Sequence, residues 1–118
     1  MNRTLIWLDD ERNPDDPQWQ AWQVRWSPIG HIGVDVVWLK SFKEFKLYLL
    51  SNPWPDGICF DHDLGDGPSG YDAAKYVIDR CIEDSLPLPL FWSQSSNPAG
   101  KENIISSLTN FGNHYNKR

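Results

Sequence analysis

The sequence predicts an α/β domain: a three-layer sandwich built on a short, mainly parallel sheet of about four strands, with helices on both faces. Three observations lead there. Short apolar runs alternate with helix-length stretches along all 118 residues, the pattern of strand–helix–strand units. The clearest runs are continuously apolar rather than alternating, as strands buried on both faces are. Polar and acidic clusters follow those runs directly, where a parallel sheet gathers its ligand-binding loops.

Taken in order, "TLIWL" (residues 4–8) reads as a central strand that ends at "DDERNP". The stretch 13–33 is rich in Pro and Trp and holds one short helix near 17–24, with Pro17 in its first turn. "VDVVWLK" (34–40) is a β-branched strand, and "SFKE" offers a capping box, Ser41 with Glu44, to a helix over 42–50. "NPWPDG" breaks the chain before a third strand at 57–61. Apolar residues at 73, 74, 77, 78, 81 and 82 make a helical stripe within 71–84. The prolines of "LPLPLFWS" confine a fourth strand to an edge or to its own beginning. Asn97 as N-cap and Pro98 at the first helical position open a last helix.

At this length the chain makes one domain, spanning 1–118, with a single sizeable core. A net charge of −5 disfavours general DNA binding and attraction to anionic membranes. No apolar run approaches the ~20 residues needed to cross a bilayer, and no signal-peptide pattern opens the chain, so a cytoplasmic protein is expected. Seven tryptophans are read chiefly as core bulk, with a minority free to stack on a flat ligand. Cys59 and Cys81 lack metal-ligand spacing and read as reduced core residues. His31 and His114 read as surface residues.

The chemistry concentrates at the strand ends. "FDHDLGDG" places Asp61, His62 and Asp63 at the mouth of a buried strand, where carboxylates repel one another and resist desolvation. A hard cation, Mg²⁺ or Mn²⁺, would compensate, held by Asp9, Asp10 and Asp61 with Asp63 or Asp66 as a further ligand; Asp66 reads more simply as a surface turn residue. Extended geometry would put Asp61 and Asp63 on one side and His62 on the other, unless Gly65 and Gly67 turn the backbone there. His62, with an ordinary pKa near ~6.5, is suited to moving a proton at neutral pH. "SQSSNPAGKEN" is the complementary half. A helix start favours phosphate, Ser93, Ser95 and Asn97 can donate hydrogen bonds, Gly100 permits close approach and Lys101 adds charge. The alternative for this half is an ordinary capped helix after a serine-rich loop.

Together, "WLDDERNP", "FDHDLGDGPSGYDAA" and "SQSSNPAGKENI" resemble the cyclic-phosphate processing receiver-like domains, a divergent branch of the response-regulator receivers. The similarity runs over about residues 4–108. It implies a receiver-like (flavodoxin-like) fold, and a fifth strand bearing the usual receiver lysine is expected to be missing. It also implies metal-assisted processing of a cyclic phosphate or cyclic nucleotide, often in phage or bacterial conflict systems. By motif position, Asp9, Asp10, Asp61, His62 and Asp63 fall in the acidic half and Ser95, Asn97, Pro98, Gly100 and Asn103 in the last motif.

The expected activity is thus a divalent-metal-assisted phosphoesterase, with His62 and Asp61 as catalytic residues and a small phosphate-bearing ligand as partner. Three other readings use the same scaffold: a phospho-accepting receiver with Asp61 as acceptor, a protein that sequesters a cyclic nucleotide without cleaving it, and a protein–protein module.

Overall fold

The computed structural model describes residues 2–115 of the chain. Four strands, β1 (Arg3–Leu8), β2 (Val34–Leu39), β3 (Gly57–Phe60) and β4 (Leu90–Ser93), alternate with four helices, α1 (Trp19–Trp26), α2 (Phe42–Ser51), α3 (Gly70–Asp84) and α4 (Pro98–Tyr115). All strand pairs are parallel and the order is β2-β1-β3-β4. The alternation predicted from the sequence is the architecture observed, with four strands among the described residues.

Side-chain alternation divides the core between the two faces of the sheet. Ile6, Leu8, Ile58 and Phe60 pack with Phe45 and Leu49 of α2, Ala73, Ala74, Val77 and Cys81 of α3, and Ile104 and Leu108 of α4. On the other face Leu5, Trp7 and Cys59 meet Ile29, Trp19 and Trp26. Helices cover both faces, three against one. The tryptophans of the first quarter are largely core: Trp7 is fully buried and meets Trp19 edge-on at 4.9 Å between ring centroids.

Local differences from the sequence reading have physical causes. Helix α1 starts two residues later than predicted. Trp19 and Trp26, two turns apart on one helix face, both sit on Trp7, and that packing sets the register. At α2 only half of the expected capping box forms. Ser41 accepts from the Glu44 amide, while the Glu44 carboxylate takes the Ser41 hydroxyl at 3.4 Å instead of the backbone N–H. The full box caps α3, where Ser69 and Asp72 satisfy each other's amides, a cap worth about 1 kcal/mol. Strand β4 begins only after Pro89 and forms one edge of the sheet, the placement its prolines dictate. No helix among the described residues is long and apolar enough to cross a membrane.

This topology fixes the position of the site. The chain leaves β1 toward β2 on one side and returns to β3 on the other, so the strand order switches between β1 and β3. Their register pairs Leu8 with Phe60. The residues that follow, Asp9 and Asp61, therefore emerge side by side.

Candidate functional site

Asp9, Asp10 and Asp61 meet at this switch point, with one carboxylate oxygen from each lying within 4.8 Å of the others. Asp9 is wholly buried, Asp61 nearly so and Asp10 partly. The backbone continues the sheet pattern past both strands. The Asp9 amide donates to Leu39 O at 3.0 Å and the Asp61 amide to Leu8 O at 2.9 Å. Two indoles then fix the loop after β1: Trp38 Nε1 donates to Asp9 O at 2.7 Å and Trp7 Nε1 to Arg12 O at 2.8 Å. Core tryptophans on the sheet thus hold the acidic turn in place.

The two buried acids have opposite surroundings. Asp9 accepts four hydrogen bonds: the amides of Glu11 and Arg12 on Oδ1 at 2.9 and 2.8 Å, and Arg12 Nη1 and Gln94 Nε2 on Oδ2 at 3.1 and 3.2 Å. Those donors occupy the lone-pair directions of its carboxylate. Burial pushes the Asp61 carboxyl up to about 7, with the charges of Asp9 and Asp10 adding to the rise and Arg12 opposing it. Asp61 is thus a buried acid whose charge its surroundings compensate only in part.

Asp61, Asp10 and Arg12 line an open cleft of about 300 Å³ together with Glu11, Asp63, Gly65 and Ser96. Arg12 is the cationic side chain on that wall, and its guanidinium also lies over the Trp26 ring at 5.5 Å.

The backbone does turn after Asp61, and the extended geometry is lost: His62 and Asp63 face each other. His62 Nδ1 lies 2.9 Å from Asp63 Oδ1. A carboxylate only accepts, so the proton sits on Nδ1 and Nε2 is left as the basic nitrogen. Asn97 Nδ2 donates to Asp63 Oδ2 at 3.4 Å; its 3.5 Å approach to His62 Nδ1 brings two donors together and is a contact rather than a bond. The His62 hydrogen bond holds the Asp63 carboxyl below its ordinary value. Asp63 lies outside the group of three acids but lines the cleft, with His62 hydrogen-bonded behind it.

Gly100, buried in the first turn of α4, lies flat against the His62 ring, and a Cβ there would fall on ring atoms Cγ and Cδ2. Gly100→Ala is therefore expected to displace the imidazole at a cost of about 1–3 kcal/mol. Thermal unfolding checks the cost, and the ring resonances of His62 check the displacement.

The remaining polar side chains of the phosphate half are engaged by the end of β3 and by their own loop. Ser93 Oγ donates to Phe60 O at 2.7 Å and accepts from the Ser95 amide at 3.3 Å, and Ser95 Oγ accepts from the Asn97 amide at 3.1 Å. Asn97 Oδ1 caps the Gly100 amide at 3.0 Å, as an N-cap residue should. Pro98 has no N–H and the Lys101 amide bonds Asn97 O, so the helix start has little left to offer an anion. The Lys101 ammonium sits over the Trp92 ring at 4.7 Å, and Asn103 is exposed on α4. Sequence reasoning missed Arg12, Gln94 and Ser96 as site residues. Arg12 had a signal, three residues after a buried acid; Gln94 and Ser96 had none beyond their place after β4.

The donor set suits a hard cation. It consists of carboxylate oxygens packed more closely than their charges favour, those of Asp9 already taken by four donors, and no thiol or imidazole among the described residues belongs to the group.

A family model described as the cyclic-phosphate processing receiver domain matches residues 4–110. No curated protein matches the chain. Among solved structures, the phosphorylated cyanobacterial phytochrome response regulator RcpA is similar with a TM-score of 0.58 at 15% identity, over 98% of this chain and 89% of that one. The N-terminal domain of a response regulator/sensory box/GGDEF three-domain protein from Carboxydothermus hydrogenoformans gives 0.54 at 22%, over 88% and 74%. A fusion carrying a yeast Spc42 coiled-coil segment gives 0.56 at 21%, with 90% of this chain covering 62% of that one. At these identities the structures speak to the fold. With the family match over most of its length, the chain belongs to the cyclic-phosphate processing receiver domains.

Proposed function

We propose that the protein is a divalent-cation-dependent phosphoesterase that opens a cyclic phosphate, most naturally that of a cyclic nucleotide. The observation that carries the reading is the buried, only partly compensated Asp61 carboxyl packed beside Asp10 and Asp9 at a switch-point cleft. Residues that lower their own stability in this way are retained where a ligand repays the cost.

Asp10 and Asp61 would hold Mg²⁺ or Mn²⁺, since Asp9 is already filled by four donors and acts by fixing the turn. The cation would neutralise phosphate charge and polarise its oxygens. Arg12 lines the same cleft and supplies a guanidinium for a phosphate oxygen, taking the part that Lys101 and the start of α4 were expected to play. The His62–Asp63 pair carries the proton: Asp63 orients the ring through Nδ1, and Nε2 accepts or returns a proton as water attacks and the ester oxygen leaves. The two free, buried thiols accord with a reducing compartment, the cytoplasm.

The test is a panel of cyclic mono-, di- and oligonucleotides incubated with Mg²⁺ or Mn²⁺ and resolved by chromatography. Cation-dependent ring opening is expected, lowered by about 10²-fold or more in His62→Gln and by a raised KM in Arg12→Ala. Retention of an intact ligand would indicate a sequestering protein instead. The receiver fold favours a second reading, in which Asp61 accepts a phosphoryl group. Stable labelling of Asp61 by acetyl phosphate, with no ring opening, would establish it.

A further inference from the structure

Gln94, in the loop after β4, is only 2% exposed. Its Nε2 donates to Leu8 O at 3.0 Å and to Asp9 Oδ2 at 3.2 Å. Both partners are acceptors, so the amide's nitrogen is the end fixed there and its oxygen is the other. That oxygen, Oε1, is the buried side-chain N/O atom among the described residues that has no hydrogen-bond partner. A carbonyl buried without a donor destabilises a fold, so such an exception calls for an explanation.

The surroundings supply one. The same amide grips Asp9, so Oε1 lies within an amide group's reach of one carboxylate of the cluster. Asp9 is saturated with donors, so two carboxylates remain for direct coordination, fewer than the oxygens a hard cation gathers. We propose that Gln94 Oε1 is the neutral oxygen ligand of this cation site, beside Asp10 and Asp61. The inference rests on the reading of the acidic cluster as a cation site. A neutral donor suits the position, because a fourth carboxylate would add to the repulsion among the three already packed there. Amide oxygens ligate hard cations readily, and the Leu8 and Asp9 contacts hold this one in position before the ion arrives.

Mn²⁺ alone is the probe, with binding followed through loss of the free-ion signal in electron paramagnetic resonance. The wild type is expected to bind one ion and Asp61→Asn none. Gln94→Met, similar in volume but without the amide, should fold and bind about tenfold or more weakly. Gln94→Glu keeps an oxygen while losing the grip on Asp9, and should bind within about threefold of wild type or more tightly. Wild-type affinity in Gln94→Met, with Asp61→Asn inactive, would overturn the assignment of Gln94 and leave the cation site standing. A loss in Gln94→Glu equal to that in Gln94→Met would overturn it too, because the nitrogen's contact with Asp9 would then account for the effect. No binding by the wild type would remove the cation site and the proposal together. Should Gln94→Met fail to fold, Gln94→Asn, which withdraws the oxygen by one methylene, replaces it with the same expectation.

Discussion

Asp61→Asn is expected to stabilise the cation-free protein at pH 8 while abolishing cation binding and turnover. The carboxyl rises from an ordinary 3.8 to about 7 because folding buries it beside Asp9. The native state thus holds a proton that the unfolded chain has already released, and stability falls as pH climbs from about 4 to about 7. Below that window the penalty is absent, and above it the penalty is complete. At ~1.4 kcal/mol per pH unit, it amounts to about 4 kcal/mol at most. Asparagine is close in shape and carries no charge, so its stability should be flat across the window. Denaturant unfolding in EDTA at pH 5 and pH 8, read by tryptophan fluorescence, checks both slopes. Adding Mg²⁺ at pH 8 should raise the wild type and leave the variant unchanged. A variant less stable than wild type at pH 8 in EDTA would show that Asp61 is compensated within the protein.

Gly70→Ala is expected to cost about 3 kcal/mol or more and to weaken cation binding with it. Gly70 opens α3, and its amide donates to His62 O at 2.8 Å. A Cβ here would overlap the backbone carbonyl of Asp61 and stand 3.1 Å from His62 Cα. The obstructing atoms are main chain, so no rotamer relieves them. Either α3 withdraws or the end of β3 shifts, and both move Asp61 against Asp10. The ~1 kcal/mol that alanine gains over glycine inside a helix does not offset this. Thermal unfolding and a Mn²⁺ titration of the folded fraction give the two readouts. Wild-type stability in this variant would mean that the close approach of α3 to β3 is not needed.

The order of elements was legible because the core is written in two periods. Continuous apolar runs such as residues 4–8 can be satisfied only between two covered faces, and the stripe within 71–84 only by a helix. The acids were legible for a related reason, since each directly follows a buried strand and parallel register brings such ends together. What escaped depends on contacts between distant segments. The register of α1 is set by Trp7, twelve residues upstream of Trp19. Ser93, Ser95 and Asn97 have the residue types for binding phosphate, but their polar atoms bond the end of β3, Asp63 and the loop that starts α4. Gln94 is a plain amide in sequence, and only the fold shows one end of it engaged and the other end unpartnered.

The most direct measurement is a ³¹P NMR time course of the purified protein with a cyclic nucleotide and Mg²⁺. The cyclic diester resonance is expected to give way to a phosphomonoester, with no conversion in EDTA or in Asp61→Asn. An unchanged diester across the panel, with an acyl-phosphate resonance appearing on Asp61 when acetyl phosphate is supplied, would contradict it and make the protein a phospho-accepting receiver.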